Sequence, residues 1–238
     1  MTLVMTVDHS AWTRILSTYV VASPDRVNRF AYGRVSAADK KALKAYLTAL
    51  QGVKVAALSG DEQRAFWINF YNALTIDVVL DHYPVKSIKD ISLGGGLFAS
   101  GPWKKALVNV EGKALSLDNI EHDILRKTWR DPRVHYAVNC SSMSCPTLMA
   151  KAFTATNLEQ MLTQGARDYI NHPRGVRVDN RKVCLSRIFE WYRKDFGANE
   201  ADVLAHVQTN AEPDLKAQLQ GITRVADYTY DWSLNEAK

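Results

Sequence analysis

The spacing of apolar residues along the chain predicts that helices make up most of it. Apolar positions recur at intervals of three and four residues, as on one face of an amphipathic helix. Ser36 can cap the start of one such helix, and Gly52 can end it. Apart from one longer, more apolar segment, the predicted helices cover residues 9–21, 36–50, 116–126, 158–170, 186–197 and 200–219.

That longer segment is predicted as a helix from Ser59 to Tyr83. Ser59 and Glu62 have the spacing of a capping box, and the core of the helix is apolar on nearly every side, which indicates a buried central element. Asn69 and Asn72 are three residues apart and therefore share one face. We expect their amides either to tie loops to the helix or to orient a catalytic group or oxyanion.

Period-two alternation and turn residues predict short strands between the helices. A tight turn at Glu111–Gly112 and another at Asp179–Asn180 indicate hairpins. No repeat or linker divides the chain. The fold class predicted is therefore α+β: one mostly helical domain over residues 1–238 with a small β-sheet, built from segments near 107–115, 134–139, 175–185 and 226–232.

Composition narrows the class of protein. The 238 residues include six Trp and ten Tyr, which argues against disorder, and the net charge of +5 forms no basic face, so nucleic acid is not an expected partner. No apolar run is long enough for a membrane span. Gly94 to Gly96 lack the Lys-Ser/Thr of a phosphate loop, which excludes nucleotide binding; we interpret this stretch, with Phe98 and Trp103, as a mobile flap. No cofactor is predicted.

Candidate chemistry concentrates in Asn139-Cys-Ser-Ser-Met-Ser-Cys-Pro146. An apolar run with β character precedes it, which predicts a buried strand that ends at the thiol of Cys140. Loops anchored by rigid elements often hold nucleophiles and metal ligands. The alternative is that both cysteines are small core residues.

A second candidate group lies on the helix that Ser116 is expected to cap. Glu121 falls on the apolar stripe between Leu117 and Leu125, so we expect it to be largely buried, hydrogen-bonded and within reach of the Cys140 loop. The amides of Asn69 or Asn72 are candidate donors to its carboxylate. His122 projects from the edge of the same stripe.

Three hypotheses for the cysteine motif stay open. Cys140 can be a nucleophile activated by His122, the preferred base, or by His135, which a regular strand would place on the opposite face. Cys140 and Cys145 can instead form a disulfide. His135, Cys140 and Cys145 can also bind zinc, although no fourth ligand is evident.

Six blocks of the sequence together resemble a known family. They lie at 66–75, 102–105, 117–122, 131–146, 186–196 and 230–235. With these motifs, the region of about 12–236 is similar to the bacterial branch of the domain-of-unknown-function family 547. The resemblance implies no established chemistry. It implies that relatives are often exported, so we expect a periplasmic protein whose signal is absent from this sequence.

Plant relatives keep a cysteine that matches Cys140, have serine where this chain has Cys145, and do not reliably keep His135. The resemblance thus favours Cys140 as the working thiol. A helix packed on a small sheet with a cysteine at the junction is also similar in outline to papain-like and transglutaminase-like hydrolases.

Two functions follow from these expectations. The first is a cysteine-dependent hydrolase or acyltransferase that acts on amide, peptide or thioester bonds of a small-molecule or peptide substrate. Its candidate residues are Cys140, His122, Glu121, His135, Asn72 and Asn69. The second is a non-catalytic interaction or scaffold module, whose polar groups and cysteines fix the fold. The sequence defines no oligomeric state.

Overall fold

The predicted central helix is the axis around which the larger hydrophobic core is built. The computed structural model describes residues 5–93 and 101–237. In it α3 spans Gly60–His82, and the Ser59 hydroxyl accepts a hydrogen bond from the Glu62 N–H, as the capping-box spacing predicted. Every residue from Arg64 to Leu80 is buried, so the rest of the chain encloses α3 over these turns.

The first two helices cover one flank of α3. α1 (Ser10–Tyr19) and α2 (Ala37–Gln51) both lie where the apolar pattern placed them. Ser36 caps α2 by accepting from the Asp39 N–H. Between α1 and α2, β1 (Val20–Val21) pairs antiparallel with β2 (Arg29–Phe30).

A hairpin and an unusual helix lie across another side of the core. β3 (Val108–Val110) and β4 (Lys113–Leu115) form a two-stranded antiparallel sheet. Ser116 then accepts from the Asn119 N–H, and the helix that begins here is π-helical over Asn119–Leu125 before it continues as α4 (Arg126–Trp129). Such π-helical turns are often found at functional sites.

The second half of the chain forms a smaller core of its own. It contains a three-stranded sheet in the order β5–β6–β7, in which β6 pairs antiparallel with β5 and parallel with β7. The Asn180–Arg181 turn has positive φ at both residues, as a tight two-residue hairpin requires. The elements are α5 (Leu158–Ile170), β5 (Val176–Asp179), β6 (Lys182–Ser186), α6 (Arg187–Trp191), α7 (Arg193–Phe196), α8 (Glu200–Asn210), α9 (Pro213–Leu219) and β7 (Val225–Thr229).

The cysteine motif lies at the junction of the two cores. Val134 and Val138 pack in the larger core, whereas Tyr136 between them packs in the smaller one. The strand predicted near 134–139 is wrong, because Pro132–Tyr136 is a 3-10 helix whose start is capped by the Asp131 side chain. A short apolar run does not by itself distinguish strand from helix.

The C-terminal tail, residues 230–237, packs against the loop that carries the cysteines. Its backbone bonds the cysteine loop through Met143 N–H to Ser233 C=O and Asn235 N–H to Ser141 C=O, at 2.8 and 3.0 Å. The Phe30 N–H donates to the Asn235 carbonyl at 2.8 Å, so the tail connects the loop to β2.

The mostly helical α+β class is confirmed, although the strands form three small sheets rather than one. The predicted flap at Gly94 to Gly96, with Phe98, lies outside the described residues. Across the described ranges, no helix combines the length and apolarity that crossing a bilayer requires.

Candidate active site

A side-chain amide of the central helix holds the backbone on which the thiols sit. Asn72 donates from Nδ2 to the Ala137 carbonyl at 2.9 Å, and its Oδ1 accepts from the Asn139 N–H at 2.8 Å. Asn139 in turn accepts from the Ser141 N–H and donates to the Pro146 carbonyl, which closes the loop around both cysteines. Asn72 therefore acts as the loop tie that was one of its two expected roles.

Asn69 makes the same kind of tie elsewhere. Its side chain donates to the Phe153 carbonyl at 2.8 Å and accepts from the Phe153 N–H at 2.9 Å. The two asparagines thus pair with backbone, and neither supplies the expected donor to Glu121.

The loop brings Cys140 and Cys145 into contact as free thiols. The Cys140 N–H donates to Cys145 Sγ at 2.9 Å. Both sulfurs also contact the Tyr230 hydroxyl, each at 3.3 Å, and Ser142 Oγ donates to that hydroxyl at 2.9 Å. Cys145 is buried and Cys140 is partly exposed.

These contacts give the two sulfurs different acidities. Burial by itself would raise the pKa of Cys145, but hydrogen bonds from Cys140 and Tyr230 stabilise its thiolate and lower that pKa to about 6. The hydrogen bond to the Cys145 sulfur, together with burial, raises the pKa of Cys140. Of the two thiols, Cys145 therefore loses its proton first and Cys140 keeps its own.

A buried histidine lies between two carboxylates near the thiols. His135 Nε2 is 2.7 Å from Asp195 Oδ2, and the imidazole stacks on Tyr192 with ring centroids 4.1 Å apart. A carboxylate only accepts hydrogen bonds, so Nε2 carries a proton. The free Nδ1 lies 4.0 Å from Glu121 Oε1.

Arg126 fixes the outer end of this network. Its guanidinium donates to both carboxylate oxygens of Asp195, at 2.5 and 3.0 Å, and lies over the Tyr192 ring. Burial opposes ionisation of Asp195, yet the hydrogen bonds from His135 and Arg126 hold the pKa of its carboxyl well below the usual range.

Glu121 is buried, as predicted, with 6 % of its surface exposed. Its carboxylate lies 3.8 Å from His122 Nδ1, and its charge beside Tyr192 helps to raise the pKa of that phenol. The donor expected from Asn69 or Asn72 is not supplied, because both asparagines are occupied by backbone groups.

His122 lies beside Arg126 and Asp118 rather than beside the thiols. Arg126 Nη1 donates to His122 Nδ1 at 3.1 Å, and Asp118 is 3.7 Å from Nε2. In the described part of the chain, neither His122 nor His135 forms a hydrogen bond with Cys140, whose side-chain partners are Cys145, Ser142 and Tyr230.

One cavity of about 630 Å³ joins these groups. Cys140, Cys145, His122, His135 and Glu121 line it, and so do Lys104, Lys105 and Asp118. Its remaining wall is largely aromatic: Tyr71, Trp103, Trp191, Tyr192, Tyr230 and Trp232.

The apolar residues of the predicted 186–197 helix divide between the core and the cavity. Ile188 and Phe196 are buried, whereas Trp191 is 43 % exposed and packs on Tyr230 at a centroid distance of 4.9 Å. The helix also breaks at Tyr192 between α6 and α7, which turns the Trp191 and Tyr192 rings toward the cavity.

Sequence reasoning missed four residues of the site: Arg126, Tyr192, Asp195 and Tyr230. Tyr230 is 90 residues from Cys140, and Asp195 is 60 residues from His135, so no local spacing joins them. The sequence linked Asp195, Tyr192 and Tyr230 to the cysteine loop in one way: the blocks 186–196 and 230–235 belong to the same set of family-like motifs.

The zinc hypothesis requires a cluster of ligands. Over residues 5–93 and 101–237, the structure has no group of three or more His, Cys, Asp or Glu side chains arranged to hold a metal ion.

The candidate site thus combines a cysteine pair on a tied loop with a carboxylate–histidine network in a largely aromatic cavity. Residues 55–170 match the model of a family described as "Protein of unknown function, DUF547". The match covers just under half of the 238 residues, includes α3, Glu121, His135 and both cysteines, and supports this family for the chain. No curated protein matches. No solved structure matches either.

Proposed function

We propose that the cavity is the active site of a cysteine-dependent hydrolase or acyltransferase that acts on amide, peptide or thioester bonds. One observation carries the proposal: Cys140 is partly exposed and lines the cavity, while the Tyr230 hydroxyl and the Cys140 N–H both donate to the sulfur of Cys145 beside it. A thiol becomes an effective nucleophile when its proton has a nearby acceptor or its pKa is lowered. Cys140 is the nucleophile in this proposal, as the sequence favoured.

The first step does not need a histidine. As the Cys140 Sγ attacks the carbonyl carbon of the substrate, its proton passes to the Cys145 thiolate, which already hydrogen-bonds the Cys140 side chain. The carbonyl π electrons move to oxygen and form a tetrahedral intermediate. Tyr230 donates one hydrogen bond to Cys145 Sγ, which stabilises the thiolate before attack.

The second step returns that proton and uses the histidine that lines the same cavity. The intermediate collapses, the bond to the leaving nitrogen or sulfur breaks, and the proton that Cys145 took from Cys140 passes to that atom. Water, or a second substrate in a transferase, then attacks the acyl-Cys140 thioester, and His135 Nδ1 accepts its proton. The Cys140 sulfur leaves and takes that proton back. Asp195 orients His135 through Nε2, and the Glu121 carboxylate lies 4.0 Å from Nδ1.

His122 has a supporting role in this scheme. Its Nδ1 accepts from Arg126 and its Nε2 lies near Asp118, so it contributes to the charge around Glu121 rather than to Cys140. The cavity volume of about 630 Å³ accommodates a small molecule or a few residues of a peptide.

Acylation of the protein by a small aryl thioester tests the proposal. We expect an acyl group on Cys140, detected by peptide mass mapping, that forms at least about tenfold faster than any adduct on Cys184. Glu121→Gln should slow turnover by about 10²–10⁴-fold with the fold intact, because it removes the carboxylate beside the Nδ1 of His135 that accepts the proton of the attacking water. Acylation of Cys140 no faster than that of Cys184 would overturn the proposal.

A second candidate, the non-catalytic scaffold module, is favoured by the buried amide network. Asn72 and Asn139 hold the loop, and Asn235 contacts both Asn139 and the Tyr32 hydroxyl. In a scaffold the thiols serve stability, so Cys140→Ala should destabilise the chain by about 1–3 kcal/mol. A Cys140→Ala protein as stable as the parent contradicts this second function.

A further inference from the structure

The structure places two thiols side by side, although acyl transfer requires only one. A single reactive cysteine suffices for acyl transfer, but here a second sulfur lies against the first, and the backbone N–H of Cys140 bonds Cys145 Sγ at 2.9 Å. Both sulfurs contact one hydroxyl, and both line the cavity. Five positions separate the residues in the chain, and Ser141 between them adopts the left-handed backbone conformation that folds the loop back on itself.

We propose that Cys140 and Cys145 form a dithiol site that exchanges with low-molecular-weight disulfides. The proposal is independent of the acyl-transfer function, since it concerns a different reaction of the same loop. The class of substrate is a small disulfide that enters the cavity, and the products are two thiols and an intramolecular Cys140–Cys145 disulfide.

Exposure assigns the order of the steps. Cys140 is partly exposed and Cys145 is buried behind it, so the incoming disulfide meets Cys140 first. The Cys140 Sγ attacks one sulfur of the substrate, its proton passes to the Cys145 thiolate, the substrate S–S bond breaks, and one thiolate leaves. A mixed disulfide on Cys140 results.

The second exchange releases the other half of the substrate. The departed thiolate takes the proton from Cys145, and Cys145 Sγ attacks Cys140 Sγ within the loop. The mixed S–S bond breaks, the Cys140–Cys145 bond forms, and a second thiolate leaves. The two protein thiols lose two electrons and the substrate disulfide gains them, so the step balances without another oxidant.

The hydrogen bonds that surround Cys145 suit it to this second attack. Tyr230 and the Cys140 N–H both donate to Cys145 Sγ, and both contacts lower the pKa of Cys145. Neither depends on the Cys140 thiol, so both are available while Cys140 is in the mixed disulfide. A thiol whose pKa is lowered toward the ambient pH combines a larger thiolate fraction with good nucleophilicity.

The third cysteine is a natural control. Cys184 lies on β6, outside the cavity, where its sulfur contacts Thr229 at 3.6 Å. It has no neighbouring thiol among the described residues. Cys184→Ser should therefore leave the exchange unchanged, and in the parent chain Cys184 reports the rate of an ordinary thiol.

The experiment incubates the reduced full chain with glutathione disulfide and follows its mass. The parent should lose two hydrogen atoms, with the new bond mapped to Cys140 and Cys145, at least about tenfold faster than Cys184 gains a glutathione adduct. Cys145→Ser should instead accumulate a stable glutathione adduct on Cys140. Cys140→Ser should form no fast adduct.

Two results would overturn the dithiol site. One is a lasting glutathione adduct on Cys140 of the parent, which shows that Cys145 does not resolve it. The other is oxidation no faster than adduct formation at Cys184. Acylation by the aryl thioester separates the two proposals, because a failed exchange with intact acylation of Cys140 rejects only the dithiol site, and the reverse rejects only acyl transfer.

Discussion

At the scale of single residues, Tyr230 connects the chemistry of the two cysteines. Its hydroxyl donates to Cys145 Sγ, contacts Cys140 Sγ and accepts from Ser142. Burial raises the pKa of Tyr230, so the hydroxyl keeps its proton and stays a donor over the range in which the thiols titrate. The Tyr230 hydroxyl therefore favours the thiolate of Cys145 over that of Cys140.

Removing that hydroxyl should move the titration of the pair. Tyr230→Phe deletes a donor to the thiolate, and a lost hydrogen bond to the charged form raises the pKa. We expect the pH midpoint of iodoacetamide labelling of the pair to be higher in the variant than in the parent. Labelling of Cys184 gives the reference curve in the same sample. An unchanged midpoint would show that Tyr230 does not stabilise the thiolate.

Asp195 should make the stability of the chain depend on pH. Its pKa is lower in the folded chain than the ordinary value of about 3.9, so the stabilisation is fully present above that pH and is lost as the pH falls toward the folded value. Asp195→Asn should lower the free energy of unfolding by about 1–3 kcal/mol at pH 7, because Arg126 and His135 lose a charged partner.

Urea unfolding of parent and variant at several pH values checks this expectation. The difference between the two proteins should be constant from pH 5 to 7 and shrink once the pH falls below about 4. Glu190→Gln is a suitable control, because its ion pair with Arg187 is exposed and contributes about 0–1 kcal/mol. A difference that does not change with pH contradicts the role of the Asp195 charge.

At the scale of elements, α3 determines the position of the site by holding two loops with two asparagines. Asn69 and Asn72 are three residues apart on α3, and each offers one donor and one acceptor to a loop backbone. The loop that Asn72 holds carries the thiols, whereas Asn69 holds the segment at Phe153. This pair of equivalent ties allows a matched comparison.

Substitution of the two asparagines should separate stability from reactivity. Asn72→Ala and Asn69→Ala each leave one buried N–H and one buried C=O without a partner, at about 1–3 kcal/mol for each group. Both variants should therefore unfold at lower urea concentration. Only Asn72→Ala should change the labelling rate of Cys140, because only it releases the cysteine loop. Equal effects on labelling would mean that the loop is not held through Asn72.

At the scale of the whole molecule, local sequence signals predicted the elements better than the site. Ser36 and Ser59 cap helices where their spacing indicated, and the turn at Asn180 forms the predicted hairpin. The predicted strand was wrong because the apolar alternation of 134–138 serves two cores on opposite sides of a 3-10 helix.

Residues of the site that depend on long-range packing could not be predicted in the same way. Glu121 was identified as buried because its own helix places it on an apolar stripe. Asp195 and Tyr230 reach the site only because α7 and the C-terminal tail pack against the cysteine loop, and a contact across 60 to 90 positions leaves no local pattern. The C-terminal tail bonds both the cysteine loop and β2, so it affects the stability of both.

A substitution of Asn235 tests whether the tail holds the cysteine loop and β2 together. It is buried, its Oδ1 accepts from the Tyr32 hydroxyl at 2.8 Å, and its backbone bonds both Ser141 and Phe30. Asn235→Ala should lower the free energy of unfolding by about 1–3 kcal/mol, since the buried Tyr32 hydroxyl loses its acceptor. Hydrogen exchange should then become faster at the amides of Phe30, Met143 and Asn235 together, because the tail joins them.

Ser233→Ala is the control, because it is an exposed tail substitution that keeps the backbone bond to Met143. It should change stability by less than about 0.5 kcal/mol. Loss of protection at Asn235 alone would show that the tail and the cysteine loop open independently.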